Sequence, residues 1–193
     1  LFSPLVILYF LKRSIKEPSY RHNFMERLGS GPSFTKSAIW IHAVSLGEFR
    51  ASVPLIRELL KNSERIIITT ITPAGREEAQ KILSSEINSK KILILYLPLE
   101  YSFAFSLFFR RYQPRFGIIL EYELWPVLTS ASAEFGIPLI LAQAQYVEKS
   151  FNRDKKWPWF RGAILKGFTL ILAKSEIHAQ RFRWFSKNSV EVM

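Results

Sequence analysis

Six continuous apolar runs recur along the chain, and amphipathic stretches separate them. The runs are rich in Ile, Leu and Val and do not alternate with polar residues, which is typical of strands covered on both faces. They occupy residues 38–43, 65–71, 91–97, 116–121, 137–142 and 168–173. The pattern predicts an α/β fold, namely a Rossmann-like parallel sheet with helices on both faces.

The stretches between the runs are candidate helices, as in 47–61, where apolar residues recur on one stripe. Residues 189–193 resemble the beginning of a further strand. The candidate helices span 47–61, 74–84, 101–112, 124–136, a less regular 153–165, and 176–187. Neither a Gly-x-Gly-x-x-Gly fingerprint nor a P-loop occurs, so NAD and ATP chemistry lack their usual sequence support.

The formal net charge of +11, from 27 Lys and Arg against 16 Asp and Glu, indicates an anionic partner such as nucleic acid, an acidic bilayer or a phosphorylated substrate. Residues 1–11 are apolar, and basic residues follow them directly. This order favours a membrane surface with negative charge. Because a spanning helix needs about 20 apolar residues, eleven are too few to cross. A buried core helix is the alternative for this segment.

The chain begins with Leu inside an apolar run and ends in a possible strand, so we expect it to be part of a longer protein. It has no cysteine, and His22, His42 and His178 show no ligand spacing. We therefore expect no metal site.

Glu48 follows the first apolar run, and a helix is predicted to begin beside it. Ligands of open α/β sheets bind beyond the carboxyl ends of the strands, which makes Glu48 the first candidate for a general base. The spacing Ser45-x-x-Glu48 is also that of a capping box, in which Ser45 accepts the backbone N–H of residue 48 and Glu48 accepts the backbone N–H of residue 45. Both interpretations remain open from spacing alone.

Glu121 and Glu123 follow the fourth run. On an extended chain, residues two apart lie on one side, with these carboxylates roughly 7 Å apart. They could act together on a substrate. Alternatively, Pro126 begins a helix and Glu123 complements the dipole of that helix.

Residues 72–75 follow the second run with the sequence Thr-Pro-Ala-Gly. The Thr72 hydroxyl and free backbone N–H groups could hold a phosphate, or Thr72 could simply cap a helix.

A group of aromatic and basic residues near the end of the chain could stack nucleic-acid bases, or belong to amphipathic helices that rest on lipid headgroups. The group comprises Trp157, Trp159, Phe160, Trp184 and Phe185 with Lys155, Lys156, Arg161, Arg181 and Arg183.

Several motifs together resemble the 3-deoxy-D-manno-octulosonic acid (Kdo) transferases of lipopolysaccharide synthesis. They are Glu-Arg-Leu-Gly at 26–29, His-Ala-Val-Ser-Leu-Gly-Glu at 42–48, Thr-Thr-Ile-Thr-Pro-Ala-Gly at 69–75, Tyr-Leu-Pro-Leu at 96–99, Glu-Tyr-Glu-Leu-Trp-Pro at 121–126 and Leu-Ala-Lys-Ser-Glu at 172–176. The chain departs from the family pattern at Val127, Gln143, Gln145 and Lys174, which leaves the details of acceptor recognition open.

The resemblance implies a GT-B glycosyltransferase, with residues 1–30 as a membrane-proximal segment and 31–193 as the amino-terminal, acceptor-binding domain. The carboxy-terminal domain that holds the donor CMP-Kdo would be absent, and the isolated chain inactive. The enzyme would transfer Kdo to a lipid A precursor with inversion and without a metal or cofactor. It would work at the cytoplasmic face of the bacterial inner membrane, as a peripheral protein or with one amino-terminal anchor.

In this interpretation Glu48 is the catalytic base. The expected acceptor-binding residues are Ser45, Gly47, Thr72, Gly75, Glu121 and Glu123. The partners would be lipid A precursor, CMP-Kdo and an anionic membrane surface, and no nucleic acid. The alternatives are a non-catalytic basic module that binds anionic lipid or nucleic acid, and a glycoside hydrolase that uses Glu121 and Glu123.

Overall fold

The structure is a computed structural model that describes residues 18–193. Its centre is a seven-stranded sheet in the order β3-β2-β1-β4-β5-β6-β7, in which all neighbouring strands are parallel. The strands are β1 (Ile39–His42), β2 (Ile66–Thr70), β3 (Ile92–Tyr96), β4 (Phe116–Leu120), β5 (Leu139–Ala144), β6 (Leu170–Ala173) and β7 (Ser189–Val192).

Helices connect these strands, and two short 3₁₀ helices, Pro18–Arg21 and Phe24–Leu28, precede the first of them. The α-helices are α1 (Leu46–Lys61), α2 (Pro73–Ile82), α3 (Ser84–Asn88), α4 (Ser102–Tyr112), α5 (Pro126–Glu134), α6 (Glu148–Asp154), α7 (Pro158–Leu165) and α8 (Glu176–Phe185).

The sheet separates two apolar cores, because successive side chains of a strand point to opposite faces. Trp40 of β1 packs with Phe108 and Phe109 of α4 on one face. Its neighbour Ile41 belongs to the second core, with Phe49 of α1. Helices therefore cover both faces, which confirms the predicted Rossmann-like α/β class.

The strand order reverses at the centre of the sheet. From β1 the chain runs outward through β2 to β3, and then crosses to β4 on the other side of β1. The loops that follow β1 and β4 diverge at such a point and leave a crevice at the carboxyl ends of the strands. The predicted site residues belong to these loops and to those after β2.

Most predicted element bounds lie within two residues of the observed ones, and three differences are informative. The stretch predicted as one helix, 153–165, contains the end of α6 and all of α7, because Pro158 starts a new helix and Trp157 before it is not helical. The predicted helix 74–84 ends at Ile82, and α3 follows it. Strand β5 begins after Pro138 and extends through a bulge near Gln143 to Ala144.

The described residues before β1 pack against the sheet. Glu26 forms an ion pair with Arg76 of α2 and accepts the backbone N–H of Tyr96 at 2.9 Å. Arg27 donates to the carbonyl of Ile71 at 2.9 Å. Gly29 has a φ of 85°, and a Cβ there would meet a carbonyl oxygen of α4 at 2.0 Å, so only glycine fits.

The apolar run 1–11 lies outside the described residues. Between residues 18 and 193, no helix is both long and apolar enough to cross a membrane.

Candidate active site at the carboxyl edge of the sheet

Glu48 lies in the first turn of α1, only 9% exposed, and its carboxylate is held by the segment that precedes the helix. Oε2 accepts the backbone N–H of Val44 at 2.8 Å, and Oε1 accepts the hydroxyl of Ser45 at 3.0 Å. Ser45 in turn accepts the backbone N–H of Glu48 at 3.3 Å. The capping interpretation is confirmed, but the backbone partner of Glu48 is Val44 rather than residue 45.

Capping does not use all the hydrogen-bonding capacity of this carboxylate, because an ionised carboxylate accepts about four hydrogen bonds. Burial raises the pKa of Glu48, the hydrogen bonds from Val44 and Ser45 lower it, and the charge of Glu121 raises it. The net direction is upward. A carboxylate with a raised pKa is a stronger base than a solvated one, which suits proton removal from a hydroxyl.

Glu121 and Glu123 follow β4 in a turn. The expectation of an extended chain is wrong here, because Glu121 has a φ of 59°. Burial, together with the charges of Glu48 and Glu121, raises the pKa of Glu123 to about 7, although the hydrogen bond from Trp125 lowers it. That bond, from Nε1 to Oε2, is 2.6 Å long. Glu121 thus acts on the pKa of Glu48, and both act on the pKa of Glu123, as expected for carboxylates that the fold brings to one edge of the sheet.

The dipole of α5 is complemented by Glu100 instead of Glu123. Pro126 is the first residue of α5, as predicted. The Glu100 carboxylate accepts the backbone N–H groups of Val127 at 2.9 Å and Leu128 at 3.0 Å. Burial raises the pKa of Glu100 although these two bonds lower it. Glu100 is not recognisable from the sequence, because its contacts span 27 and 28 positions and no local pattern marks them.

Thr72 caps α2, accepting the backbone N–H of Gly75 at 3.2 Å, so the capping interpretation is confirmed for this loop. A Cβ on the buried Gly75 would lie 3.1 Å from the Thr72 hydroxyl oxygen and 3.5 Å from the carbonyl carbon of Ser45. Glycine therefore lets the first turns of α1 and α2 lie side by side. Gly47 is exposed, and a Cβ there would meet only Ser45 Oγ, at 3.9 Å. Roles in acceptor binding stay predictions for these residues.

A cleft of about 470 Å³ opens beside the carboxylates, and the loops after β1, β2, β3 and β4 line it. Glu123 belongs to its wall, whereas Glu48 does not. Its apolar lining consists of Val44, Ile71, Leu97, Pro98, Leu99 and Trp125. Its polar lining consists of Arg27, Thr72, Glu100 and Glu123.

A buried carboxylate, Asp154, holds the loop that carries Glu121 and Glu123. Tyr122 donates to Asp154 at 2.6 Å, and Tyr146 donates to the same oxygen at 3.0 Å. Arg161 pairs with it at 2.8 Å. Burial opposes ionisation of Asp154, but bonds from these neighbours and Arg153 outweigh it, and the net pKa is lowered. The network joins the loops after β4 and β5 to α7.

The group of aromatic and basic residues divides into two parts. Arg161 pairs with Asp154, and Arg181 donates to the carbonyl of Tyr146 at 2.8 Å, so both turn inward. Four aromatic side chains are exposed to solvent: Trp157 (61% exposed), Trp159 (70%), Phe160 (42%) and Trp184 (51%). Lys155 and Lys156 are exposed next to Trp157.

Two of the histidines, His42 and His178, form hydrogen bonds within the fold. His42 is buried in β1 beside Thr69, and burial lowers its pKa to about 4 although a hydrogen bond to the backbone carbonyl of Thr69 raises it. It is therefore neutral at physiological pH. The His178 Nδ1 atom lies 3.1 Å from the backbone of Tyr146. Within residues 18–193, no three His, Cys, Asp or Glu side chains form a group suited to a metal ion.

The fold and the site together define a Rossmann-like α/β domain with an acidic site at the carboxyl edge of its sheet. The family model described as 3-Deoxy-D-manno-octulosonic-acid transferase (kdotransferase) matches residues 22–193, and the chain belongs to this family.

Similar proteins carry the same name. The chain is 28% identical to a 3-deoxy-D-manno-octulosonic acid transferase of Bordetella pertussis, across 98% of the chain and 46% of the relative. It is 30% identical to one of Haemophilus influenzae, across 93% and 42%. It is 34% identical to a probable mitochondrial one of Arabidopsis thaliana, across 92% and 38%. The chain thus spans less than half the length of these relatives.

Proposed function

We propose that the chain is the amino-terminal, acceptor-binding half of a GT-B glycosyltransferase that moves Kdo from CMP-Kdo to a hydroxyl of a lipid A precursor. Support comes from the family match and from the names of the relatives. The donor CMP-Kdo binds mainly to a carboxy-terminal domain, so the isolated chain has no transferase activity.

The observation that carries the proposal is the buried Glu48 at the carboxyl edge of the sheet, with its raised pKa and its two fixed hydrogen bonds. A sugar hydroxyl is a poor nucleophile near neutral pH, and a carboxylate within hydrogen-bond reach takes its proton as the new bond forms. Direct displacement inverts the anomeric centre and needs one base. In this proposal, protein groups and not a metal ion stabilise the charge that develops on the leaving group.

Glu121 and Glu123 bind hydroxyls of the acceptor in this proposal. Glu123 borders the cleft, and its pKa near 7 lets it donate or accept a hydrogen bond at physiological pH. Ser45, Gly47, Thr72 and Gly75 form the adjoining starts of α1 and α2, and the positive ends of two helix dipoles suit a phosphate of the acceptor.

The two alternative functions have less support. A glycoside hydrolase needs two carboxyl groups that flank the scissile bond, whereas Glu121 and Glu123 lie in one turn and Glu123 is bonded to Trp125. A nucleic-acid module needs cations beside its stacking rings. Two of the five candidate cations, Arg161 and Arg181, are engaged inside the fold, which leaves Lys155 and Lys156 beside the exposed rings.

The enzyme is proposed to work at the cytoplasmic face of the bacterial inner membrane. The exposed aromatic patch, defined as Trp157, Trp159 and Phe160, lies next to Lys155 and Lys156. Aromatic side chains favour the headgroup level of a bilayer, and lysines favour anionic lipids. This patch therefore suits peripheral contact with the membrane that contains the acceptor.

The test is the substitution Glu48→Gln in the full-length enzyme, assayed with CMP-Kdo and lipid A precursor. Loss of a general base lowers the rate by about 100-fold to 10,000-fold, because the amide cannot take the proton. The amide still accepts one hydrogen bond, so the fold should remain, as circular dichroism would show. Mass spectrometry of the lipid product gives the rate.

The matched control is Glu58→Gln, an exposed carboxylate on the same helix that pairs with Lys61. It should retain wild-type transfer. Normal turnover in a folded Glu48→Gln enzyme would show that Glu48 only caps α1 and is not the base, which would contradict the proposal.

A further inference from the structure

The charged and polar side chains that line the cleft already have partners within the protein. Arg27 donates to the carbonyl of Ile71, and its guanidinium lies 3.9 Å from the ring centroid of Tyr96. Glu100 accepts two backbone N–H groups of α5, and Glu123 accepts Trp125 Nε1. Much of their hydrogen-bonding capacity is therefore used within the protein and not for a ligand.

The rest of the wall is apolar. Leu97, Pro98 and Leu99 line it from the loop after β3, and Val44 and Ile71 line it from the loops after β1 and β2. Sugars need several convergent hydrogen-bonding groups in their sites, since each buried hydroxyl without a partner costs free energy. An apolar group gains free energy from the same wall in proportion to the area that it buries. The lining therefore favours a hydrocarbon chain over a sugar ring.

We infer that this cleft binds a fatty acyl chain of the acceptor. The inference rests on the proposed function and adds to it a subsite for the lipid part of the substrate. Glu123 borders both the cleft and the carboxylate group, so an acyl chain in the cleft would hold its own sugar beside Glu48. The volume of about 470 Å³ falls within the range of roughly 300–1,000 Å³ that is usual for small-molecule sites.

The subsite is tested by titrating the chain with glucosamine phosphates that carry an N-acetyl, N-hexanoyl or N-decanoyl group, below the concentration at which they form micelles. Calorimetry gives each affinity. Each methylene that enters the cleft should raise the affinity by about fourfold, and the gain should stop when the cleft is full. Equal affinities for the three compounds would overturn the inference.

Two variants of Ile71 locate the binding in the cleft. Ile71→Trp fills part of the space and should lower the affinity for the decanoyl compound by roughly 15-fold, since it displaces about two methylenes. The N-acetyl compound should bind as before. Ile71→Ala enlarges the cleft and should move the plateau to a longer chain.

Leu107→Trp is the control, because Leu107 is 49% exposed on α4 and does not line the cleft. It should leave all three affinities unchanged. A plateau that neither Ile71 variant moves would place the acyl group elsewhere and overturn the inference. If Glu48-dependent transfer occurs while acylated and deacylated acceptors bind equally, the subsite fails and the proposed function stands.

Discussion

At the scale of single residues, Glu48 caps α1 in the structure, and we propose that it is also the base that the sequence presents as the alternative. Its bonds to Val44 and Ser45 cap α1 and also fix the direction of the carboxylate. A base must be held in place to be effective, so the cap and the base are compatible. The position of Glu48 at the carboxyl edge of the sheet was predictable, because the residue follows an apolar run that forms a strand. Its raised pKa depends on burial and on Glu121, which is distant in sequence.

Glu121→Gln should move the acidic limb of the pH profile. The charge of Glu121 raises the pKa of Glu48, so its removal lowers that pKa. Because the base must be ionised, activity is lost as the pH falls through the pKa of Glu48. The limb of kcat/KM against pH should therefore move to lower pH. Glu134→Gln, an exposed change on α5, should leave it in place. A limb that stays or moves upward in Glu121→Gln would exclude this coupling.

At the scale of elements, strands and helix starts follow from local sequence, whereas the contacts that position them do not. Apolar runs predicted the strands, and Pro126 predicted the start of α5. Pro158 carried a similar signal, and the prediction of one helix over 153–165 overlooked it. Glu100 and Asp154 act over long sequence separations. Spacing along the chain contains no information about such contacts.

The loop after β4 owes its position to Asp154, so Tyr122→Phe should affect both stability and substrate binding. The variant loses a hydrogen bond to a buried carboxylate, which contributes about 1.5–3 kcal/mol to the free energy of unfolding. Denaturant unfolding measures this loss. In the full-length enzyme, KM for the acceptor should rise more than kcat falls, because Glu121 and Glu123 flank Tyr122.

The control for the loop is Tyr112→Phe, which removes a hydroxyl that donates to the carbonyl of Pro32 at 3.0 Å. Tyr112 ends α4 and does not line the cleft. The substitution Tyr112→Phe should lower the free energy of unfolding by about 0.5–1.5 kcal/mol and leave KM for the acceptor unchanged. An equal rise in KM in both variants would mean that Tyr122 acts through general stability only.

At the scale of the whole molecule, the parallel sheet collects the carboxylates and the cleft at one edge, and a separate surface presents the exposed aromatic patch. The fold class was predictable because each apolar run is a local feature. The cleft was not, since four loops and a 3₁₀ segment form it. The net charge of +11 predicted an anionic partner without locating the surface that binds it.

The central claim is that this chain is the acceptor side of a lipid-modifying transferase, and flotation of the 193-residue chain with vesicles tests it most directly. Three vesicle types are compared: neutral phospholipid, anionic phospholipid, and neutral phospholipid with lipid A precursor at the same total charge. We expect the strongest binding to the precursor vesicles. Binding to anionic vesicles should weaken as salt rises, because salt screens exposed charges over about 10 Å at 0.1 M. Equal binding to the two charge-matched vesicles would contradict the claim, because charge alone would then explain the attraction.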